Sequence, residues 1–122
     1  MSADARIRIF VYGTLRRGGR YNHFMKDAQH MREIRTEAAY TLVSMGRFPG
    51  LIAGGSTAVL GDEYQVLKSR LGELDEYEGE WFSRHLVALS DGSHSTAWLV
   101  DPDVVQDRTV IESGDFVTWM HS

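Results

Sequence analysis

The stretch Ile7-Arg8-Ile9-Phe10-Val11-Tyr12-Gly13-Thr14-Leu15-Arg16-Arg17-Gly18 constrains the chain most. A β-branched and aromatic run breaks abruptly at Tyr-Gly-Thr, which predicts a strand over Ile7–Val11 feeding a tight turn. Gly13 admits backbone angles closed to other residues. Successive N–H groups in such a turn can point at one anion and cradle a carboxylate or phosphate. Strands that end in glycine turns also occur as plain structure, so this stretch alone leaves both readings open. Its glycines do not make Gly-x-x-x-x-Gly-Lys, which argues against a nucleotide P-loop.

Chain-wide properties narrow the ligand. The 122 residues predict one domain, 1–122, long enough for its own core. No apolar run has the length of a membrane span, and Met1 to Arg6 lack the apolar segment of a secretory signal, so the expected location is cytoplasmic. The net charge of −4 leaves one dense basic spot, Arg16, Arg17 and Arg20, beside the candidate cradle. That distribution suits a small anionic molecule; neither a nucleic acid nor a membrane surface is an expected partner. Cysteine is absent, which removes thiolate nucleophiles and zinc–sulfur sites. His23, His30, His85, His94 and His121 show no paired metal spacing, so neither metal nor cofactor is expected. Nothing in the pattern fixes an oligomeric state.

Along the chain, Asn22 is a plausible N-cap for a short helix over His23–Gln29, with Phe24, Ala28 and Met31 at helical spacing. Arg32–Val43 reads as one strand. Gly46-Arg47-Phe48-Pro49-Gly50-Leu51 reads as a loop with an apolar tip. Val59–Val66 is a second clear strand, where Gly61 marks a bulge or a close backbone approach. Ser69 caps a helix from Arg70 to Glu78 that Gly79 ends. Ser83–Leu89 and Ser95–Val100 form a hairpin around Asp91-Gly92-Ser93, and Val104–Ile111 adds a short edge strand. The tail from Glu112 has no clear pattern. These elements predict an α+β fold, a small mixed β-barrel with flanking short helices.

The helix before Gly79 carries the chemistry. Leu71, Leu74 and Glu78 fall at i, i+3 and i+7 and share one face, which puts a carboxylate on the apolar stripe. Glu78 either reaches water at a frayed helix end or is held in the interior. The helix C-terminus, the like charges of Asp75, Glu76 and Glu80, and partial burial would all raise its pKa. A carboxyl tuned this way gives and takes a proton near neutral pH. A purely structural helix gains nothing from an acid there, which favours the functional reading. Ser56, Ser93 and Ser95 lie near glycines, but none sits in a Gly-x-Ser-x-Gly elbow. Asp62 and Glu63 point to opposite faces of their strand, one to solvent and the other to the interior as a reserve acid. Arg84 is left open between a salt bridge and a ligand contact.

Taken in order, these segments resemble the gamma-glutamylcyclotransferase family. Val11–Gly18 with Asn22-His23 is similar to its N-terminal motif. Phe48-Pro49-Gly50-Leu51 and Val59-x-Gly61-Asp62-x-Tyr64-x-Val66 are similar to its middle. Leu74-Asp75-Glu76-Tyr77-Glu78-Gly79 resembles the helix with its catalytic glutamate. The match runs from Ile7 to about Val100. The resemblance implies a small mixed barrel with a cavity at one side, and cyclisation of a γ-glutamyl amide to 5-oxoproline with release of an amine or amino acid. It places the catalytic glutamate at Glu78 and the substrate cradle at Tyr12, Gly13, Thr14 and Leu15, in a site with no cofactor; Arg84 is carried beside them as a candidate substrate contact on its own chemistry. Phe82-Ser83-Arg84 departs from the family's frequent Tyr-x-Arg and loses a hydroxyl. Asp62 stands where Glu is common, and Ser113-Gly114-Asp115-Phe116 matches the family's ending only loosely. A same-fold amide hydrolase and a non-catalytic binding module are the alternatives.

Overall fold

Strand β1 (Arg6–Val11) lies at the middle of the molecule, because its apolar run is long enough to be buried on both sides. The structure, a computed structural model, describes residues 5–105 and 109–121. The side-chain alternation of β1 divides the core. Phe10 and Tyr12 join Leu42, Leu51, Val87 and Ile111 in one buried cluster. Ile9 and Val11 join Leu15, Val66, Leu74 and Trp98 in another. Burying both faces of one strand fixes its register, since a slip of one residue would exchange the two sets.

The other elements are β2 (Gln29–Arg35), β3 (Tyr40–Ser44), β4 (Pro49–Ala53), β5 (Leu60–Leu67), α1 (Leu71–Glu78), β6 (Phe82–Ala88), β7 (His94–Val100), β8 (Thr109–Val110) and α2 (Phe116–Met120). A five-stranded sheet runs β2-β5-β1-β7-β6, and a three-stranded sheet runs β4-β3-β8. In the first, β1 is antiparallel to β5 and parallel to β7. The fold is thus mixed α+β, as expected, but the pairings do not close into the expected barrel. The two edge strands meet at their ends, through a bridge between Thr36 and Leu89 in which Glu37 N–H donates to the Ala88 carbonyl and Ser90 N–H to the Arg35 carbonyl, each at 2.9 Å.

Several boundaries differ from the sequence reading, each for a physical reason. The helix over His23–Gln29 is only a 3₁₀ turn, Asn22–Met25. Asn22 does not cap it; its Nδ2 donates to the Leu15 carbonyl and to Tyr64 OH. The strand over Arg32–Val43 is two strands, because buried Thr36 turns the chain and accepts Val59 N–H with its hydroxyl at 2.9 Å. The loop through Pro49 and Leu51 is edge strand β4, where Pro49, as first residue, gives up no inner hydrogen bond. Ser69 lies in a 3₁₀ turn and does not cap α1, whereas Gly79 ends α1 with φ of 91°. Gly61 is a close approach: a Cβ there would lie 2.5 Å from the Phe10 ring. The expected strand Val104–Ile111 reduces to β8, and 106–108 fall outside the described residues. The tail contains α2, whose N-cap Asp115 accepts Thr118 N–H at 3.1 Å.

Candidate active site

Leaving β1 the chain makes a turn in which Arg16 N–H donates to the Gly13 carbonyl at 3.1 Å and Tyr21 N–H to the Thr14 carbonyl at 2.9 Å. Those bonds use the carbonyls. Among the described residues, no backbone acceptor takes the N–H of Gly13, Thr14 or Leu15. Gly13 does not have the positive φ expected of it. Its requirement is space instead, since a Cβ there would meet Pro49 Cγ at 2.6 Å. The glycine lets β4 pack directly on the turn.

Tyr12, Gly13, Thr14 and Leu15 line a cavity of about 610 Å³, and Glu78 lines it from α1. Leu71 and Leu74 are buried beneath, so the apolar stripe of the helix aims its last residue inward. Burial of the carboxyl raises the Glu78 pKa to about 7. The residue keeps some accessible surface because it faces the cavity rather than packed atoms. No described side chain or backbone group is hydrogen-bonded to its carboxyl or paired with it.

Two tyrosines hold the parts together. Tyr77, one residue before Glu78, shares a hydrogen bond of 2.7 Å between its hydroxyl and Thr14 Oγ1, which fastens the helix end to the cradle. Tyr12 OH donates to the Trp98 carbonyl and accepts Leu51 N–H at 3.2 Å. Burial first, and then the Glu78 charge, push the Tyr12 hydroxyl well above its ordinary pKa. It therefore serves as a fixed neutral hydrogen-bonding group, and it places Glu78 within electrostatic reach of the cradle. Sequence reasoning passed over Tyr77 because nothing distinguishes it from a packing tyrosine.

Other candidates lie elsewhere. Arg84 does not line the cavity; its Nε meets Asp75 Oδ1 at 3.0 Å, the salt-bridge side of the open choice. Asp75 also accepts Trp98 Nε1–H at 2.8 Å. Asp62 and Glu63 are both buried, correcting the expectation that one faces solvent. Asp62 accepts Arg16 Nε–H at 3.2 Å and Arg17 N–H at 3.0 Å, and shares a hydrogen bond with His30 Nε2 at 3.0 Å. Glu63 accepts Arg32 Nε–H at 2.8 Å. Neither acid lines the cavity. Arg16 is no surface charge: only 5% exposed, it reaches Glu33, Asp62 and Asp115 together. Its signal was lost because those partners are distant in sequence. His30 lies in β2. Among the described residues, no group of three or more potential metal ligands is found, and no helix is long and apolar enough to cross a membrane.

The turn at Tyr12–Leu15 and a carboxyl of near-neutral pKa, unpaired among the described residues, therefore share one cavity. Residues 9–118 match the family model described as gamma-glutamyl cyclotransferase, AIG2-like. The chain is 36% identical over 114 residues to the gamma-glutamylcyclotransferase family protein YtfP of Escherichia coli strain K12, covering 91% of this chain and 96% of that one. It is 37% identical over 82 residues to the gamma-L-glutamyl-butirosin B gamma-glutamyl cyclotransferase of Niallia circulans, 64% of this chain and 51% of that protein. Among solved structures, a uropathogenic E. coli-specific protein superposes with a TM-score of 0.89 at 27% identity, over 96% of this chain and 97% of that one.

Proposed function

The chain belongs to the gamma-glutamyl cyclotransferase, AIG2-like, family and is an enzyme of that type, and from that premise we propose that it cyclises a γ-glutamyl amide to 5-oxoproline with Glu78 as the proton carrier. The observation that carries this reading is the shared cavity, in which a lone carboxyl of pKa about 7 faces the turn at Tyr12–Leu15.

The N–H groups after Tyr12 receive the substrate α-carboxylate, which folds the γ-glutamyl chain so that its amine approaches its own carbonyl. Ionised Glu78 takes a proton from the α-ammonium. The freed nitrogen attacks the γ-carbonyl carbon, and the C–N bond to the leaving amine breaks as Glu78 delivers a proton to it. Two protons in all pass from the attacking to the departing nitrogen, so the carboxyl is regenerated. An intramolecular attack needs chiefly positioning and a proton carrier, and the cavity supplies both. The near-neutral pKa lets the same group act as base and then acid.

Incubation with a panel of γ-glutamyl amines and γ-glutamyl amino acids tests the reading. 5-Oxoproline is the expected product. Free glutamate in its place would assign water as the nucleophile and an amide hydrolase on the same fold, and no turnover of any member would leave a binding module.

A further inference from the structure

The cavity is charged unevenly. Glu78 is the only acid among its lining residues, and two arginines line it as well, Arg20 from the turn after β1 and Arg47 from the tip between β3 and β4. Both are exposed, and neither takes part in a hydrogen bond or ion pair with a described residue. Arg16, Arg32, Arg70 and Arg84 each meet a carboxylate within 3.2 Å; Arg6 and Arg8 are exposed without a described partner, as Arg20 and Arg47 are, but do not line this cavity. A chain with 17 acids and 13 bases has ample carboxylates to pair with, yet leaves these two guanidiniums facing the cavity. The same cavity has apolar lining from Met45, Phe48 and Phe82, with the Phe48 and Phe82 ring centroids 6.2 Å apart.

Resting on the cyclotransferase reading above, we propose that Arg20 and Arg47 select a leaving group that carries a carboxylate, so the substrate class is γ-glutamyl amino acids rather than γ-glutamyl amines. The cradle of Tyr12–Leu15 and Glu78 serve the glutamyl half, which is the same in every substrate. What remains for the two arginines is the half that departs. A guanidinium matches a carboxylate with paired N–H donors and, beside apolar walls, is attracted to it more strongly than in open water.

The test compares γ-glutamyl-alanine with γ-glutamyl-ethylamide, two compounds that differ only in the carboxylate of the leaving group. The parent enzyme is expected to favour γ-glutamyl-alanine in kcat/KM by about tenfold or more, the worth of one charge-assisted hydrogen bond. Arg20→Gln and Arg47→Gln should each raise KM for γ-glutamyl-alanine with little change in kcat, and leave ethylamide kinetics unchanged. Equal kcat/KM for the two compounds overturns the proposal while the cyclotransferase reading stands. So does a parallel loss on both compounds, which would assign the arginines to the shared glutamyl half. If neither compound is turned over, the reading beneath fails, and calorimetric binding of both compounds still decides the selectivity. Tighter binding of γ-glutamyl-alanine that disappears in Arg20→Gln/Arg47→Gln supports the proposal, and equal binding overturns it. Both positions are exposed, so unchanged thermal unfolding of the variants is the folding control.

Discussion

Asp62 and Glu78 are the same functional group in opposite circumstances. Asp62 is fully buried on β5 and surrounded by donors: the Arg16 guanidinium, the Arg17 N–H and the His30 ring. Glu78 faces a cavity and has no partner among the described residues, and its pKa rises to about 7. A carboxylate with its lone pairs satisfied is held in one state and ties elements together. One that has lost water without gaining partners is left poised between two states. Burial alone therefore does not mark the acid proposed to carry the proton. What distinguishes Glu78 is burial without compensation.

The largest effect that would sharpen this contrast is expected of Glu78→Gln. Removing the proton carrier should lower kcat by about 10²–10⁴-fold, and undiminished 5-oxoproline formation would sink the mechanism. In the parent, kcat/KM should rise with pH through about 7, where Glu78 ionises. Stability should move the other way. The folded-state pKa lies above the ordinary value of 4.5, so the folded protein holds this proton more tightly than the unfolded chain. Its contribution is fully present below pH 4.5 and is lost as pH rises through about 7, a loss of ~3 kcal/mol at most. Glu78→Gln should thus unfold like the parent near pH 4 and be the more stable of the two at pH 8. Parallel stability profiles would show that the carboxyl is not desolvated.

At Asp62 the expectations invert. Asp62→Ala leaves the Arg16 guanidinium buried with only Glu33 and Asp115, and removes the tie between the cradle turn and β5. Breaking a buried ion pair from one side costs about 3–5 kcal/mol, so the urea midpoint should fall sharply at neutral pH. Because Arg16 sits immediately after the cradle, any protein that still folds should bind substrate more weakly. A variant of parental stability would remove Asp62 and Arg16 from the scaffold and undo the comparison.

The two acids were not equally legible in the sequence. Glu78 could be found because the helix period places it above Leu71 and Leu74 within eight residues, and local periodicity survives any tertiary arrangement. β1, β5 and the β6–β7 hairpin were legible for the same reason, with boundaries off by a residue or so. Asp62 could not be read, because its partners Arg16 and His30 come from other parts of the chain and a strand's alternation says nothing of what covers its second face. β5 is covered on both faces, so Asp62 and Glu63 are both interior. β4 was hidden by Pro49 and Gly50, residues that disfavour strands but fit an edge where Gly50 packs closely on Val100. The expected barrel is not confirmed, since closure depends on how far the edges curl together and no local pattern carries that.

A smaller effect tests how the proposed proton carrier is held. Tyr77→Phe removes the hydroxyl that joins α1 to Thr14. The stability cost should be about 0.5–1.5 kcal/mol, that of one hydrogen bond. Catalysis should suffer further, since the bond fixes the helix end that presents Glu78 to the cradle. A loss in kcat with unchanged pH dependence is expected. A shifted pH profile would show instead that Tyr77 tunes the carboxyl rather than placing it.

The smallest effect is expected of Arg84, and it separates the cavity from its outer face. Its side chain is 43% exposed and that of Asp75 is 38% exposed, so their salt bridge lies largely in solvent. Exposed pairs of this kind are worth about 0–1 kcal/mol. Arg84→Gln should therefore shift the unfolding midpoint barely, and more weakly still at high salt. Asp75 would keep its hydrogen bond from the Trp98 indole, which holds α1 against β7 without the arginine. Kinetic constants for both γ-glutamyl-alanine and γ-glutamyl-ethylamide should stay within about twofold of the parent, less than 0.5 kcal/mol. A KM that rises on both compounds would make Arg84 a substrate contact after all, and would require α1 to turn enough to carry Glu78 away from its present place.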